Sequence, residues 1–250
     1  MKLITIFINI IYISAYSPNL FKKLKIINNK NHDNKNAVIF FSGGGSSMSP
    51  SLYSNFHRKL NEKNITVYKP PINYKYKDEL INYLHDKYNK VIVTAHSSGC
   101  SSAIRFCSNS SKIRNLVFLD PIDTFIKLNK IYINNIDNLL IIYADKSYKI
   151  TYSPFGLPFL FFGVLNESKL VSKNKLKIYR DYYLDSGHCD ILDLFYSNLM
   201  HYSRISVGYP VRNIKKMNEY HENISSKIND FMNIKIEVQK EPVFWADILF

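Results

Sequence analysis

Cysteine is scarce in this 250-residue chain. The three present, Cys100, Cys107 and Cys189, are odd in number and form no CxxC pair or Cys/His spacing of the zinc type. That argues against a disulfide framework and against a structural metal. The glycine-rich stretch at Gly43-Gly44-Gly45 lacks the Gly-Lys-Ser/Thr ending of a Walker-type phosphate loop. No nucleic-acid motif and no single long basic run occurs. The formal charge of +13, from 33 Lys+Arg against 20 Asp+Glu, is instead scattered, with small clusters at Lys22-Lys23-Lys25 and Lys215-Lys216. It reads as a solvated basic surface, of a sign that would suit association with an anionic membrane surface. No internal repeat and no long Pro/Gly/Ser linker divides the chain. No apolar run is long enough for a transmembrane helix. The stretch from Leu3 to Ala15, broken by Asn9, suits either a signal-peptide core or a first β-strand. Residues 1–17 are therefore set apart, and 18–250 are expected to form a single domain.

With 46% hydrophobic residues, the chain can build a sizeable core. Short apolar runs of buried-strand type recur at Ala37 to Phe41, Ile65 to Tyr68, Val91 to Thr94, Leu116 to Leu119 and Leu139 to Tyr143. Lys175 to Tyr183 reads as a more polar strand near a sheet edge. Helical patterns lie between them, at Leu52 to Leu60, Asp78 to Tyr88 and Cys100 to Cys107. A further helical stripe comes from Ile214, Met217, Tyr220, Ile224, Ile228 and Phe231. This alternation predicts an α/β fold: a mostly parallel central sheet with helices on both faces. In such sheets, sites form beyond the carboxyl ends of the strands. The glycine turn, Ser97, Asp120 and Asp145 all follow strand ends, so they are expected on one edge.

Chemistry concentrates at Ala95-His96-Ser97-Ser98-Gly99. A serine held on a sharp strand-to-helix turn is exposed to a general base, and small flanking residues let neighbouring backbone pass close. Of the seven histidines, His188 lies on the loop after the last main strand, in Asp185-Ser186-Gly187-His188-Cys189-Asp190. It is the candidate base, with His96 read as structural. The histidine needs an acid to set its tautomer. Asp120 and Asp145 end strands, Asp123 follows in the same turn as Asp120, and spacing does not choose among them. The oxyanion of a tetrahedral intermediate is expected to be held by the Ser98 N–H and by the turn around Gly44 and Gly45. The aromatic stretch 152–163, broken by Pro and Gly, suggests an apolar wall including Phe155, Leu157 and Phe159.

Four blocks give the chain a family resemblance: Phe41 to Gly45 with Tyr53-Ser54, Ala95 to Gly99, Phe118-Leu119-Asp120-Pro121-Ile122-Asp123, and Gly187-His188-Cys189-Asp190-Ile191-Leu192-Asp193. They resemble the α/β-hydrolase superfamily and, within it, the chlorophyllase and platelet-activating-factor acetylhydrolase branch, over about residues 37–195. Two positions depart from that pattern: the usual His-Gly of the oxyanion strand is Gly43-Gly44, and the first elbow glycine is Ala95. The resemblance implies Asp120 as the acid and an ester substrate with a long apolar arm. The resulting expectation is a serine esterase working through an acyl-enzyme without metal or cofactor. Acyl transfer to another alcohol, and a scaffold that binds without turnover, remain the alternative readings.

Overall fold

The computed structural model describes residues 25–27, 35–70, 77–108, 110–122, 130–145, 165–173, 175–202 and 213–234. The apolar runs become strands because each buries side chains on both of its faces, as a covered parallel sheet requires. Strand β1 is Lys25–Ile27, β2 Asn36–Phe41, β3 Ile65–Lys69, β4 Lys90–His96 and β5 Asn115–Leu119. The short β6 is Ile131–Tyr132, followed by β7 Asn138–Ala144, β8 Leu170–Val171 and β9 Lys177–Tyr183. Helix α1 is Ser54–Glu62, α2 Lys77–Lys87, α3 Gly99–Cys107, α4 Leu194–Tyr202 and α5 Ile214–Met232. The helix expected from Leu52 starts later: Ser49 caps a 3-10 turn over Pro50–Tyr53, and α1 follows it.

The main sheet has the order β1-β3-β2-β4-β5-β7-β9. Six strands are parallel, and β1 pairs antiparallel with β3 at one edge. This is the α/β-hydrolase fold. Alternation along the strands divides the core. Val91, Val93 and Ala95 of β4 pack with Phe106 and Cys107 of α3 and Leu80 and Leu84 of α2. Ile92 of the same strand faces Phe56 and Leu60 of α1 and Ile224, Ile228 and Phe231 of α5. Ile214, counted in that helical stripe from sequence, is 56% exposed at the first turn of α5. The polar strand β9 does lie at the edge of the sheet as described.

Register sets the site. Phe41 pairs with Ala95, His96 with Leu119, Leu119 with Ile142, and Ala144 with Tyr183. The carboxyl ends of β2, β4, β5, β7 and β9 therefore finish in line. The residues that follow them, from the glycine turn to Asp145, come out along one rim.

Candidate active site

Ser97 sits between β4 and α3 with φ +57°. For a residue with a Cβ this left-handed conformation is strained, by an amount of order 1–3 kcal/mol. Among the described residues, four of the five non-glycine residues with positive φ flank this rim: Ser46, Ser97, Asp120 and Asp185. The turn is held by neighbouring backbone, since Ser97 N–H donates to Leu119 O at 3.0 Å and Cys100 N–H donates to Ser97 O at 3.2 Å. Gly99 explains how the turn fits. A Cβ there would lie 2.3 Å from Ser42 O and 2.7 Å from Phe41 O, so α3 starts against the end of β2 only because residue 99 has no side chain.

His188 comes from the loop after β9, a sequence separation of 91 residues from Ser97. Its Nε2 lies 2.7 Å from Ser97 Oγ, and its Nδ1 is hydrogen-bonded to Asp120 Oδ2. With Asp120 accepting from Nδ1–H, Nε2 is left as the acceptor for the serine hydroxyl. Asp120 is itself fixed: its other oxygen accepts the Ala144 N–H at 3.1 Å, and its own N–H donates to Ile142 O at 2.7 Å. Asp145 is placed differently. Its Oδ1 accepts the Ser186 N–H at 3.1 Å and so ties down the start of the histidine loop. Between the two strand-ending aspartates, Asp120 is the one that meets the imidazole. Asp123 lies outside the described residues, as do Phe155, Leu157, Phe159 and residues 1–17.

The glycine turn follows β2 with Gly44 at φ +61° and Gly45 at φ +66°. Gly45 differs from the sequence expectation. Its N–H donates to Ser98 Oγ at 2.8 Å, and its carbonyl accepts from Ser102 Oγ at 3.2 Å. Two serines of the elbow and α3 thus clamp Gly45, and its amide is occupied by the neighbouring side chain. The amides of Gly44 and Ser98 meet no acceptor among the described residues, so they are the backbone donors this turn leaves available.

No protein-family model and no curated protein sequence matches the chain. The chain is similar to several solved structures at low identity. The esterase domain of a Rhodothermus marinus protein is 8% identical, covering 80% of this chain and 89% of that one at a TM-score of 0.46. A sugar hydrolase from Lactococcus lactis is 11% identical, covering 81% and 90% at 0.48. A ferulic acid esterase from Streptomyces cinnamoneus is 13% identical, covering 87% and 72% at 0.46. At this distance, what each residue does must be read from this chain's own geometry.

Several residues that hold the rim together escaped the sequence reading. Asp193 accepts from the Asn55 N–H at 2.8 Å and the Ser54 N–H at 3.1 Å, so it caps the start of α1 from the far side of the histidine loop. Burial raises its pKa, and those amide bonds oppose the rise. Asp190 accepts the Gly187 N–H at 2.8 Å and the Ser197 hydroxyl at 3.0 Å, closing the loop on itself and on α4. His221 of α5 donates from Nε2 to Asp190 O at 2.9 Å, and its Nδ1 accepts from Asn55 Nδ2 at 2.7 Å. The available signal was the pair of aspartates following His188 at short spacing; nothing local marked His221. Among the described residues, no group of three or more His, Cys, Asp or Glu is arranged to hold a metal ion.

Proposed function

We propose that the protein is a serine-dependent carboxylic ester hydrolase acting on an apolar, lipid-like ester through an acyl-enzyme. The observation that carries the proposal is His188 with one ring nitrogen 2.7 Å from Ser97 Oγ and the other on the Asp120 carboxylate. In this reading Ser97 Oγ attacks the ester carbonyl carbon while His188 Nε2 takes its proton, and Asp120 orients the ring and stabilises the imidazolium. Charge developing on the carbonyl oxygen is met by the amides of Ser98 and Gly44; one such donor contributes about 3–4 kcal/mol to the transition state. Collapse expels the alcohol, which receives the proton from His188. Water then repeats the sequence on the acyl-enzyme and restores Ser97.

The strained conformation of Ser97 supports the reading, because such strain is retained where geometry serves a site. An apolar substrate is favoured by the aromatic stretch 152–163 between the last two main strands. The four motif blocks further favour the chlorophyllase and platelet-activating-factor acetylhydrolase branch. A fluorophosphonate probe should label Ser97 in the wild type and leave Ser97→Ala unlabelled. Folded wild-type protein that resists labelling and hydrolyses no p-nitrophenyl ester of any chain length would reject the proposal. A rate rising from acetyl to longer acyl chains supports the lipid-like substrate, and a flat or falling series removes it.

A further inference from the structure

His96 is buried directly beneath the site, and its ring lies 4.9 Å from that of His188 at an angle of 33°. Strand alternation puts it on the α1 side of the sheet, the side on which Ile92 packs. Its Nε2 is 3.0 Å from the backbone carbonyl oxygen of His188. A carbonyl oxygen only accepts, so Nε2 carries a hydrogen. Burial, reinforced by the neighbouring His188, lowers the His96 pKa to about 3, so the ring is neutral and Nδ1 is an acceptor. The Tyr53 hydroxyl, 2.9 Å from Nδ1, therefore donates to it. The Tyr53 oxygen in turn accepts the Gly43 N–H at 2.9 Å. The Tyr53 hydroxyl has one other acceptor nearby, Met48 Sδ at 3.7 Å, but a thioether is a weak acceptor and the imidazole lone pair at 2.9 Å takes the proton. Gly43 completes the fit, because a Cβ there would lie 3.2 Å from the Tyr53 hydroxyl and 3.3 Å from His96 Nδ1.

We propose that Tyr53 and His96 are positioning residues for His188. They form a one-way hydrogen-bond relay from the Gly43 amide through the phenol and the imidazole to the His188 carbonyl, and it holds the His188 ring between Ser97 and Asp120. The proposal rests on His188 being the general base. The His188 carbonyl sets the His96 tautomer, and the Tyr53 hydroxyl holds the ring in place by donating to the remaining lone pair on Nδ1. Without the hydroxyl that buried lone pair has lost its donor, and the ring is free to tilt in search of another. The tilt weakens the bond from Nε2–H to the His188 carbonyl and loosens the loop that carries the base. The relay also begins at the glycine turn, so the oxyanion side and the base side of the site are set against the same two buried rings.

The test uses Tyr53→Phe, His96→Gln and His96→Asn in the full chain. Tyr53→Phe removes a single oxygen, and kcat on a p-nitrophenyl ester should fall about 10- to 100-fold with KM within about twofold, the pattern of lost alignment. Glutamine places an amide donor where Nε2 stood and should keep most of the wild-type kcat. Asparagine reaches only the Tyr53 end and should lose at least as much as Tyr53→Phe. A general loss of packing would not rank the two amides this way. Long-range 1H–15N spectra of the histidine rings give a readout that needs no turnover. His96 should be the Nε2–H tautomer in the wild type, and in Tyr53→Phe its Nδ1 resonance should move as the hydrogen bond from the phenol is lost, with the His188 ring resonances displaced. The relay is overturned by wild-type kcat in Tyr53→Phe, by equal activity of the two amide variants, or by unmoved His188 resonances. If the wild type is neither labelled at Ser97 nor active, the serine reading fails, and the spectra alone then decide the relay.

Discussion

Replacing Gly99 with alanine tests the packing that makes the elbow. The added Cβ would stand 2.3 Å from Ser42 O, 2.7 Å from Phe41 O and 3.0 Å from Ser42 C, while ordinary contact begins at 3.4 Å. All three neighbours are backbone at the end of β2, so no side chain can swing aside. The start of α3 must part from β2 by about 1 Å, the difference between 3.4 and 2.3 Å. Forcing a methyl into close-packed surroundings costs about 1–3 kcal/mol. In a protein of this size that is a fall in Tm of roughly 2–12 °C. The same displacement stretches the bonds from Ser98 and Ser102 to Gly45, at 2.8 and 3.2 Å, and carries the glycine turn away from Ser97. A misplacement near 1 Å at reacting groups can lower the rate by about 100-fold, so Ser97 labelling and kcat/KM should fall by that order. Gly45→Ala is the control. Its Cβ meets nothing within 4 Å, although φ is +66°, so its stability cost is the backbone term of about 1–2 kcal/mol. Thermal melts and timed fluorophosphonate labelling of both variants decide the matter. An unchanged Tm and labelling rate for Gly99→Ala would refute the reasoning, as would a larger loss of Tm in Gly45→Ala.

Asp120→Asn should lower kcat by about four orders of magnitude, because an amide can stabilise neither the tautomer nor the imidazolium. Asp145→Asn retains an oxygen for the Ser186 N–H and should stay within about tenfold of wild type; the reverse ranking in a p-nitrophenyl ester assay would transfer the acid role to Asp145. Acid should destabilise the fold: burial lowers His57 and His96 to about 3 and His221 to about 4. Their stabilising effect is full above the unfolded value near 6.5 and is lost as pH falls below it, by up to about 4 kcal/mol per pH unit when all three contribute; a urea midpoint that is flat from pH 7 to 4.5 would contradict this. His57, packed among Phe40, Tyr53 and Phe56 with no hydrogen-bond partner for either ring nitrogen among the described residues, should be replaceable by leucine with no loss of stability at pH 7 and a shallower acid slope in the same titration. Asp193→Ala removes the acceptor of two α1 amides and should cost about 1–2 kcal/mol, read from denaturant midpoints.

The sheet was legible because its strands are buried on both faces and its helices are amphipathic, and these are patterns that local sequence carries. Strand β1, three residues in a polar and basic stretch, had no such pattern; its pairing with β3 is a property of the edge it meets. The elbow was legible for another reason. A left-handed serine between a buried strand and a glycine that touches foreign backbone leaves a short, contiguous mark. The network that supports the site has no contiguous mark, because its bonds join distant positions. Tyr53 meets His96 across 43 residues, His96 meets His188 across 92, and Asn55 meets His221 across 166. Place in the chain, with the block from Gly187 to Asp193, singled out the partly exposed His188 among the seven histidines. His96 could be read only as structural, with no partner named, and nothing marked His221. A buried neutral imidazole is a strut with one donor and one acceptor, and its use depends on which atoms the fold brings to each end. The Gly45 result follows the same logic. A glycine in the right turn is readable from sequence, but which of its amides faces outward depends on the Ser98 hydroxyl, 53 residues away in the chain. Residues that perform chemistry carry local signatures because their surroundings must be unusual. Residues that aim them need only be polar, buried and opposite the right neighbour, and that condition is met only once the chain has folded.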